Sequence, residues 1–497
     1  MTEAGRLAEG DRPDAAQVPL CVDLDGTLIR TDLLAESTFA LLKQAPHLAF
    51  ALPIWLLRGR QHLKRQIAER VDLDVEALPY DADLLQRLRQ ARADGRRLVL
   101  ATASNETFAR AVAEHLGIFD QVVASDAASN LKGRAKAARL VELFGDGGFD
   151  YAGDAPADLQ VWEHARAAIL VRPSRRLARI AEGRFAIDGI IGDDRRRGKD
   201  YLRAMRLHQW VKNLLLFIPL LAGHKIAEPQ LVWQAALAFL AFGFCASSVY
   251  LLNDLLDLST DRRHPRKRRR PFAAGDLPIS HGIVLIPLLL ASAFAITLVL
   301  PPLFAAVLAG YYLLTLAYSL WLKQRVLVDA MTLACLYTVR VIAGGAAVSI
   351  APSFWLLAFS MFLFLSLAMV KRYAELIEIE AQGGAQIRGR GYQVVDLETL
   401  TSLGAASGYV AVLVLAFYIN SPDVRVLYGA PEIIWLLCPI MLYWISRMWF
   451  ASRRGKMHDD PIVFAARDSV SRWCFVASAG VLAAAVYGHT FIDWLTS

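Results

Sequence analysis

The pattern of apolar and polar positions divides the chain into two parts. Residues 1–200 mix charged and apolar positions as soluble proteins do, whereas 201–497 consists of long apolar runs with the charges between them. A charged stretch poor in apolar residues, 183–200, separates the two parts and predicts a linker. We therefore predict a soluble domain over 1–182 and a helical membrane domain over 201–497.

Nine apolar runs in the second part are candidate membrane-spanning helices, although the first of them is short. The runs lie near residues 209–224, 231–252, 282–302, 304–321, 328–348, 353–370, 402–420, 432–449 and 472–493. The sequence therefore predicts an all-α bundle of nine transmembrane helices in the cytoplasmic membrane.

Lysine and arginine are unevenly distributed among the loops that join these runs. They are concentrated in four alternate loops, 253–280, 322–326, 371–398 and 447–460. Basic loops stay in the cytoplasm, and the amino-terminal stretch lacks the apolar core of a signal peptide. We therefore expect a cytoplasmic first domain and, after nine spans, a C-terminus outside.

An acidic motif directly follows the second apolar run. Asn253 and Asp254 begin it, and Asp257 and Asp261 follow at helical spacing, so a helix that continues through them places the three carboxylates on one face. Carboxylates that share a face repel one another unless a cation lies between them. Magnesium is the expected cation, because it binds carboxylates together with the phosphates of a substrate.

Seven basic residues come immediately after this motif, in the stretch 262–270. Such a run can simply anchor the protein to lipid headgroups, and for Arg262, Arg268 and Arg269 we leave that alternative open. Beside the acids, however, basic side chains also suit phosphate oxygens, so the combination predicts a diphosphate site. The net charge of +7 does not indicate nucleic acid as a partner, because the basic residues lie between apolar runs.

A second acidic loop lies near the amino terminus. VPLCVDLDGTLIRTD predicts a buried strand with Asp23 and Asp25 at its carboxyl end, which is where ligands bind in open α/β sheets. This loop resembles the DxDGT motif of haloacid-dehalogenase-type phosphatases, and Thr102, Lys132 and an acidic pair further on match the later motifs of that family. That pair is Asp154 and Asp158. The resemblance implies a Rossmann-like α/β fold with a small helical cap over 32–97.

The resemblance also implies a role for each residue. Asp23 would attack phosphorus, and Asp25 would act as general acid and base. Thr102 and Lys132 would hold the phosphoryl oxygens. The carboxylates around magnesium would be those of Asp23, Asp25, Asp154 and Asp158. A domain that keeps these residues but serves only as a scaffold or regulator is the alternative.

One apolar segment of the predicted cap, 48–57, is too short to cross a bilayer. Two interpretations remain open from the sequence: the segment lies on the membrane, or it packs on the core of the cap.

The membrane part resembles the UbiA superfamily of intramembrane prenyltransferases. Its NDxxDxxxD motif is complete, and Lys267 and Arg270 continue it in a KxxRPxxxG pattern. The usual second aspartate motif is replaced by KRYAEL, which contains Lys371, Arg372, Tyr373 and Glu375. In this respect the chain resembles the branch that includes decaprenyl-phosphate phosphoribosyltransferase, an enzyme of cell-wall arabinan synthesis. Because one acid cluster suffices for one diphosphate, the added cations suit a second anionic substrate.

Three further basic residues are candidate substrate ligands. Arg340 lies deep in the fifth run, where an arginine is costly unless it is paired or hydrated. It either pairs with an acid inside the membrane or lines a polar cavity, which Asp329 could share. Lys212 and Lys323 are phosphate ligands on the family pattern or interfacial anchors.

These features predict a magnesium-dependent membrane enzyme that moves a phosphoribosyl group from phosphoribosyl diphosphate to a polyprenyl phosphate. The fused phosphatase would then remove the 5-phosphate of the product. In the alternative, the bundle transfers a prenyl group from a prenyl diphosphate to an aromatic or other acceptor, beside a regulatory or unrelated phosphatase domain.

Overall fold

The computed structural model describes residues 18–125, 131–192, 198–387, 389–421, 428, 430–457 and 460–496. The chain forms two compact units. The first contains Met1–Met205 and Leu251–Leu285, and the second contains Arg206–Tyr250 and Ile286–Ser497. The first unit therefore includes the loop that carries the acidic motif as well as the predicted soluble domain.

Six parallel strands form the sheet of the first unit. They are β1 Leu20–Val22, β2 Leu98–Asn105, β3 Gln121–Ser125, β4 Asp150–Gly153, β5 Ala167–Val171 and β6 Ile187–Ile191. The strand order is β3-β2-β1-β4-β5-β6, so successive strands are added on one side of β1 and then on the other. This reversal between β1 and β4 creates a crevice at their carboxyl ends, which is the usual ligand site of such sheets.

Helices cover both faces of this sheet, and others form the insertion between β1 and β2 and the segment after β6. They are α1 Leu33–Gln44, α2 Ala51–Leu57, α3 Arg60–Ala68, α4 Ala82–Ala93, α5 Glu106–Leu116, α6 Arg134–Phe144, α7 Leu159–Trp162, α8 Arg175–Glu182 and α9 Gly198–Ala204. Short 3₁₀ helices occupy Pro46–Phe50, Val75–Ala77 and Pro156–Asp158. Along β2, Leu98 and Leu100 pack into one apolar cluster, and Val99 and Ala101 pack into another, because alternate strand residues face opposite sides. The α/β fold and the helical insertion between β1 and β2 are confirmed.

The predicted linker 183–200 differs from the structure. Its residues Ile187–Ile191 form strand β6, which pairs in parallel with β5 at the edge of the sheet. The strand is short, and charged residues surround it on both sides in the sequence. The apolar signal was therefore too weak to indicate a strand.

Helices dominate the chain after residue 205. They are Ile218–Ala222, Pro229–Leu256, Leu258–Arg263, Ile279–Thr297, Pro302–Leu320, Val328–Val348, Phe354–Ala381, Leu397–Ile419, Leu437–Arg453, Pro461–Arg467 and Ser469–Thr496. In the part of the chain that the structure describes, eight helices are long and apolar enough to cross a membrane. The membrane-bundle prediction is confirmed, and the protein is an integral membrane protein.

The first of the nine predicted spans is not among these eight helices. The stretch Leu207–Ala222 forms a 3₁₀ helix up to Phe217 and then one short α-helix with Pro219 in its first turn. Lys212 and Asn213 are buried within the 3₁₀ part, so this segment contributes polar groups to the interior of the second unit. Its polar residues and its length explain why it differs from the other runs.

Candidate functional site

Three carboxylates converge at the carboxyl ends of β1 and β4. Asp23 follows β1, Asp154 follows β4, and Asp158 ends the 3₁₀ helix Pro156–Asp158. One oxygen from each lies within 4.8 Å of the others. Oxygen ligands in this number and arrangement fit magnesium, which binds carboxylates and retains several waters.

Hydrogen bonds from the protein hold two of these carboxylates in place. Thr27 Oγ1 donates to Asp154 Oδ1 at 2.8 Å, and the backbone amides of Asp154 and Ala155 donate to Asp158 Oδ2 at 3.1 and 3.0 Å. Gly26 has a φ of +79°, and a Cβ on it would lie 2.4 Å from Asp154 Oδ2. Glycine is therefore required in the DxDGT loop for both backbone conformation and space.

Burial and mutual repulsion shift the titration of this cluster. Burial, with Asp158 and Asp23 adding to it, raises the pKa of Asp154 to about 7. Burial and the charge of Asp23 likewise raise the pKa of Asp158 to about 6. The repulsion among these clustered carboxylates therefore favours the binding of a cation or of a proton between them.

The lysine that contacts Asp23 is Lys136 rather than Lys132. Lys136 is buried in the first turns of α6, and its Nζ lies 3.0 Å from Asp23 Oδ1 and donates to Tyr151 Oη at 2.7 Å. Lys132 is exposed in the loop before α6. The structure places Lys136 beside the carboxylate cluster and Lys132 at the surface, because the motif spacing does not reveal which face of α6 meets the sheet. The role of Lys132 in holding a phosphoryl oxygen stays a prediction.

Asp25 and Thr102 complete this end of the sheet. Asp25 accepts hydrogen bonds from the amide of Leu33, at 2.8 Å, and from the Ser104 hydroxyl, and it is not one of the three clustered carboxylates. Burial and the neighbouring charge of Asp32 raise the pKa of Asp25 to about 7, a value suited to acid-base catalysis. Thr102 is fully buried near the end of β2, and its hydroxyl accepts a hydrogen bond from the Ser104 amide at 3.0 Å.

The second acidic motif does not lie on one continuous helix. The long helix ends at Leu256, and a new helix, Leu258–Arg263, begins after Asp257. Because the helix breaks at Asp257, the condition under which Asp254, Asp257 and Asp261 would share one face of a continuous helix is not met. None of the three belongs to the carboxylate trio that lies within 4.8 Å in the described residues.

Two of these motif carboxylates meet at one guanidinium group. Arg270 Nη1 lies 3.1 Å from Asp254 Oδ1 and also contacts Asp261 Oδ2. Burial raises the pKa of Asp261, and Arg270 opposes that rise. Two carboxylates held around one cation are what a magnesium diphosphate site requires of the protein, since the substrate phosphates supply other ligands.

The remaining residues of this motif point elsewhere or lie at its edge. The carboxylate of Asp257 forms an ion pair with Lys43 of α1, at 2.7 Å. Asn253 is half-buried in the last turn of the long helix, and Lys267 is exposed at the start of a 3₁₀ helix, Lys267–Arg269. The structure therefore brings Arg270 to the acids and leaves Lys267 at the surface.

A buried carboxylate joins two predicted lysines in the second unit. Lys212 Nζ lies 2.8 Å and Lys371 Nζ 3.1 Å from Asp460 Oδ2, and Tyr337 Oη donates to the same carboxylate at 3.0 Å. Burial raises the pKa of Asp460, but the two lysines outweigh that effect and hold it well below its ordinary value. Asp460 also caps the helix Pro461–Arg467, because its carboxylate accepts a hydrogen bond from the amide of Ile462.

Arg340 is buried among neutral polar groups. Its Nε donates to Asn213 Oδ1 at 3.1 Å, its Nη2 donates to Tyr311 Oη at 2.8 Å, and its Nη1 donates to the carbonyl of Leu336. The guanidinium carbon also lies 4.9 Å from the centre of the Tyr311 ring. These contacts offset the cost of burying the Arg340 charge, and the described residues show no direct ion pair to it. Neutral polar partners were not among the two alternatives considered from the sequence, an acid partner and a polar cavity.

A separate network surrounds Arg372. Its guanidinium contacts both oxygens of Asp329 and also Glu375, and Arg390 Nη1 lies 2.9 Å from Asp329 Oδ1. Tyr318 Oη donates to Asp329 at 2.8 Å. Two arginines here face two acids, so the charges of this network balance.

Two other predicted ligands occupy different settings. Tyr373 is buried in the largest apolar cluster, with its ring 5.8 Å from that of Trp449. Lys323 is half-buried on the 3₁₀ helix Leu322–Gln324. The structure thus gives Tyr373 a packing position and separates it from the charged part of KRYAEL.

Comparison with known families agrees with this division of sites. A model of the UbiA prenyltransferase family matches residues 216–466, which is just over half of the chain, and a model of haloacid dehalogenase-like hydrolases matches residues 20–163. The chain belongs to the UbiA prenyltransferase family. Its N-terminal domain is haloacid dehalogenase-like, so this UbiA protein is an enzyme with transferase and phosphatase domains.

Three relatives of this UbiA protein differ in how much of its chain they match. The uncharacterized protein y4nM of Sinorhizobium fredii is 36% identical over 472 residues, which are 94% of this chain and 91% of the relative. The nodulation protein NoeC of Azorhizobium caulinodans is 35% identical over 56% of this chain and 91% of its own length. Decaprenyl-phosphate phosphoribosyltransferase of Mycolicibacterium smegmatis is 33% identical over 58% of this chain and 92% of its own length.

Two contributors to these sites escaped the sequence analysis. Lys136 carries a local signal, because it stands on the same helical face as the buried residues Ala137 and Leu140. Tyr337 stands in a buried helix, and its contacts with Asp460, Lys212 and Arg340 distinguish it from a core aromatic residue. No local pattern identifies such a long-range partner.

Proposed function

We propose that this UbiA enzyme transfers a phosphoribosyl group from phosphoribosyl diphosphate to a polyprenyl phosphate. We further propose that its haloacid dehalogenase-like domain removes the 5-phosphate from the product. The observation that carries the proposal is the pair of lysines, Lys212 and Lys371, that converge on one buried carboxylate. Of the two, Lys371 belongs to the KRYAEL stretch that replaces the usual second aspartate motif. The similarity to decaprenyl-phosphate phosphoribosyltransferase of M. smegmatis supports the same reaction.

The charge of the Asp460 cluster suits an anionic acceptor. Two ammonium groups face one carboxylate, so the cluster carries excess positive charge, and the Tyr337 hydroxyl can hold a phosphate oxygen after exchange with Asp460. A neutral aromatic acceptor would gain only cation–π attraction from these lysines. A lipid phosphate would gain two charge-assisted hydrogen bonds.

In the transfer step, an oxygen of the lipid phosphate attacks C1 of the ribose ring. The bond from C1 to the diphosphate oxygen breaks, and diphosphate leaves with the bonding electrons. Asp254 and Asp261 would hold magnesium, which neutralises the charge that develops on the leaving oxygens. Arg270, already beside both carboxylates, would bind the same diphosphate.

In the second step, Asp23 attacks the phosphorus of the 5-phosphate and forms an aspartyl phosphate. Asp25 donates its proton to the departing ribose oxygen and then takes a proton from the water that releases inorganic phosphate. Lys136 neutralises the attacking carboxylate and a phosphoryl oxygen. Magnesium held by Asp23, Asp154 and Asp158 would shield the charge between the carboxylates and the phosphate.

Removal of the 5-phosphate explains why the transferase and the phosphatase are fused in one chain. The dephosphorylated product can no longer return through the transfer step as the same substrate, so the forward reaction becomes effectively irreversible. We propose that both domains work in the cytoplasm, on the basis of the basic loops.

The test uses purified protein with magnesium, ribose-labelled phosphoribosyl diphosphate and a polyprenyl phosphate. Label is expected in the organic phase only when the lipid is present, and it should be lost in Asp254→Ala. An Asp23→Asn variant should accumulate labelled lipid that retains its 5-phosphate. If label does not enter the lipid while a prenyl diphosphate is consumed with an aromatic acceptor, the alternative transfer reaction replaces the proposal.

A further inference from the structure

The short segment Pro46–Leu57, a 3₁₀ helix followed by α2, has two apolar stripes on opposite sides. Leu48, Leu52 and Trp55 recur at intervals of four and three residues and pack against a small core of the cap. That core consists of Leu41, Ile67 and Val71. The inner stripe thus fastens the segment to α1 and α3.

The outer stripe is exposed. Phe50, Ile54 and Leu57 also recur at intervals of four and three residues, and they are 84%, 54% and 88% exposed. Large apolar side chains that line one face of a helix at this exposure indicate a contact surface and not a solvated face. Packing within the cap accounts only for the inner stripe.

Ion pairs within the first unit fix the position of this surface. Three residues before the segment begins, Lys43 Nζ lies 2.7 Å from Asp257 Oδ1 and donates to Thr260 Oγ1 at 3.1 Å. Asp257 directly follows the helix Pro229–Leu256, which is one of the candidate membrane spans. The segment therefore begins close in space to the residues that directly follow this candidate span.

Two more contacts secure the same arrangement further along the cap. Glu36 of α1 pairs with Arg262 in a largely buried contact. Arg263 binds Asp74 through two nitrogens, at 2.6 and 2.7 Å. With Lys43, they make three separate attachments between the cap and the loop that leaves the membrane.

We propose that Pro46–Leu57 lies in the plane of the bilayer interface, with the Phe50, Ile54 and Leu57 side chains among the lipid chains. The exposed residues Arg58 and Arg60 follow the stripe immediately and suit anionic headgroups. The segment has the features of an interfacial helix: one apolar face buried in lipid and basic residues at its edge.

This membrane contact gives the phosphatase access to a substrate that stays in the membrane, and that role rests on the proposed function. The lipid of a polyprenyl-linked phosphate cannot leave the bilayer, so its phosphate reaches only enzymes held at the surface. The segment is inserted between the catalytic strands β1 and β2, and α1, which precedes it, donates the Leu33 amide to Asp25.

The test of the contact uses the full chain in nanodiscs that contain anionic phospholipid. A nitroxide on Leu57→Cys should show high collision with oxygen and low collision with a water-soluble nickel chelate. The control is Ile190→Cys on β6, which is also apolar and 49% exposed and should show the opposite pattern. A Leu57 label as accessible to the nickel chelate as the Ile190 label, or shielded from both reagents by a second protein copy, overturns the proposal.

A functional measurement separates this inference from the proposed reaction. The double variant Phe50→Glu with Leu57→Glu should hydrolyse a lipid-linked ribose 5-phosphate at least tenfold more slowly, with unchanged turnover of p-nitrophenyl phosphate. Ile190→Glu should change neither rate. Equal loss on both substrates would overturn the access role. If the unaltered protein hydrolyses no lipid-linked phosphate, the proposed function fails, whereas the spin-label result still decides the membrane contact.

Discussion

The two acidic sites of the first unit manage carboxylate repulsion in opposite ways. Asp23, Asp154 and Asp158 stand within 4.8 Å of one another with one buried lysine beside them. In the membrane-proximal motif, Arg270 binds two carboxylates and Lys43 binds the third. The first site therefore holds its carboxylates close together, whereas in the second site each of the three carboxylates has a basic side chain beside it.

This difference follows from the elements that carry the acids. The ends of parallel strands are fixed by the sheet, so β1 and β4 can hold carboxylates together at the expense of raised pKa values. A helix end and a loop have no such constraint, and the basic stretch beside them supplies counter-charges. A metal that binds the second site must share its carboxylates with Arg270, so we expect the diphosphate substrate to be needed for tight binding there.

The strongest test of the comparison removes the nucleophile of the first site. Asp23→Asn should lower phosphatase turnover about ten-thousand-fold, because the amide cannot form the aspartyl phosphate. Transfer by the same protein should remain within about twofold, since the two chemical steps use different acids. Phosphate release and lipid labelling, measured on one preparation, give both rates. A parallel loss of transfer would show that the sites do not work separately.

The next test sharpens the assignment of the lysine. Lys136→Met should reduce phosphatase turnover about a hundredfold to a thousandfold, because one charge that stabilises the transferring phosphoryl group is lost. Lys132→Met, the matched exposed control four residues earlier, should stay within about threefold. Circular dichroism should first show that both variants are folded, since Lys136 is a buried ion-pair partner. A large loss in Lys132→Met with little loss in Lys136→Met would support the assignment made from spacing, and equal losses would contradict a special role of Lys136.

The sequence predicted those features that depend on local pattern. An apolar run followed by Asp23 indicates a strand that ends at a site, and the structure has β1 there. It did not identify β6, because five residues at a sheet edge give a weak signal. The choice between Lys132 and Lys136 depends on the face that α6 turns to the sheet, which the motif spacing leaves undetermined.

The features that the sequence missed in the membrane part depend on tertiary contacts. No glycine or proline marks the break at Asp257, so the periodicity favoured a continuous helix. The partner of Lys212 is 248 residues away, at Asp460, and only folding brings the two together. Charged motifs in membrane bundles can therefore be found from sequence more readily than their pairing.

A smaller effect concerns the pH dependence of metal binding at the first site. Asp154 has a raised pKa of about 7, so protonation favours the folded state, and that stabilisation, complete below about pH 4, is lost as pH rises through about 7. A metal needs the ionised form, so Mn²⁺ affinity should fall about tenfold between pH 8 and pH 6. Electron paramagnetic resonance of free Mn²⁺ in an Asp254→Ala background would measure it. A pH-independent affinity would mean that Asp154 is not a ligand.

The smallest effect is expected at the second site, from the loss of Lys43. Its pair with Asp257 is partly exposed, with 40% of the lysine side chain accessible, and such pairs contribute about 1 kcal/mol or less. Lys43→Met should therefore change transfer by less than about fivefold, whereas Arg270→Met should reduce it much further because Arg270 serves two carboxylates. Lipid labelling at saturating and limiting magnesium measures both variants. An equal loss of transfer in Lys43→Met and Arg270→Met would contradict this expectation. It would mean that the Asp257 carboxylate needs Lys43 as much as the Asp254 and Asp261 carboxylates need Arg270.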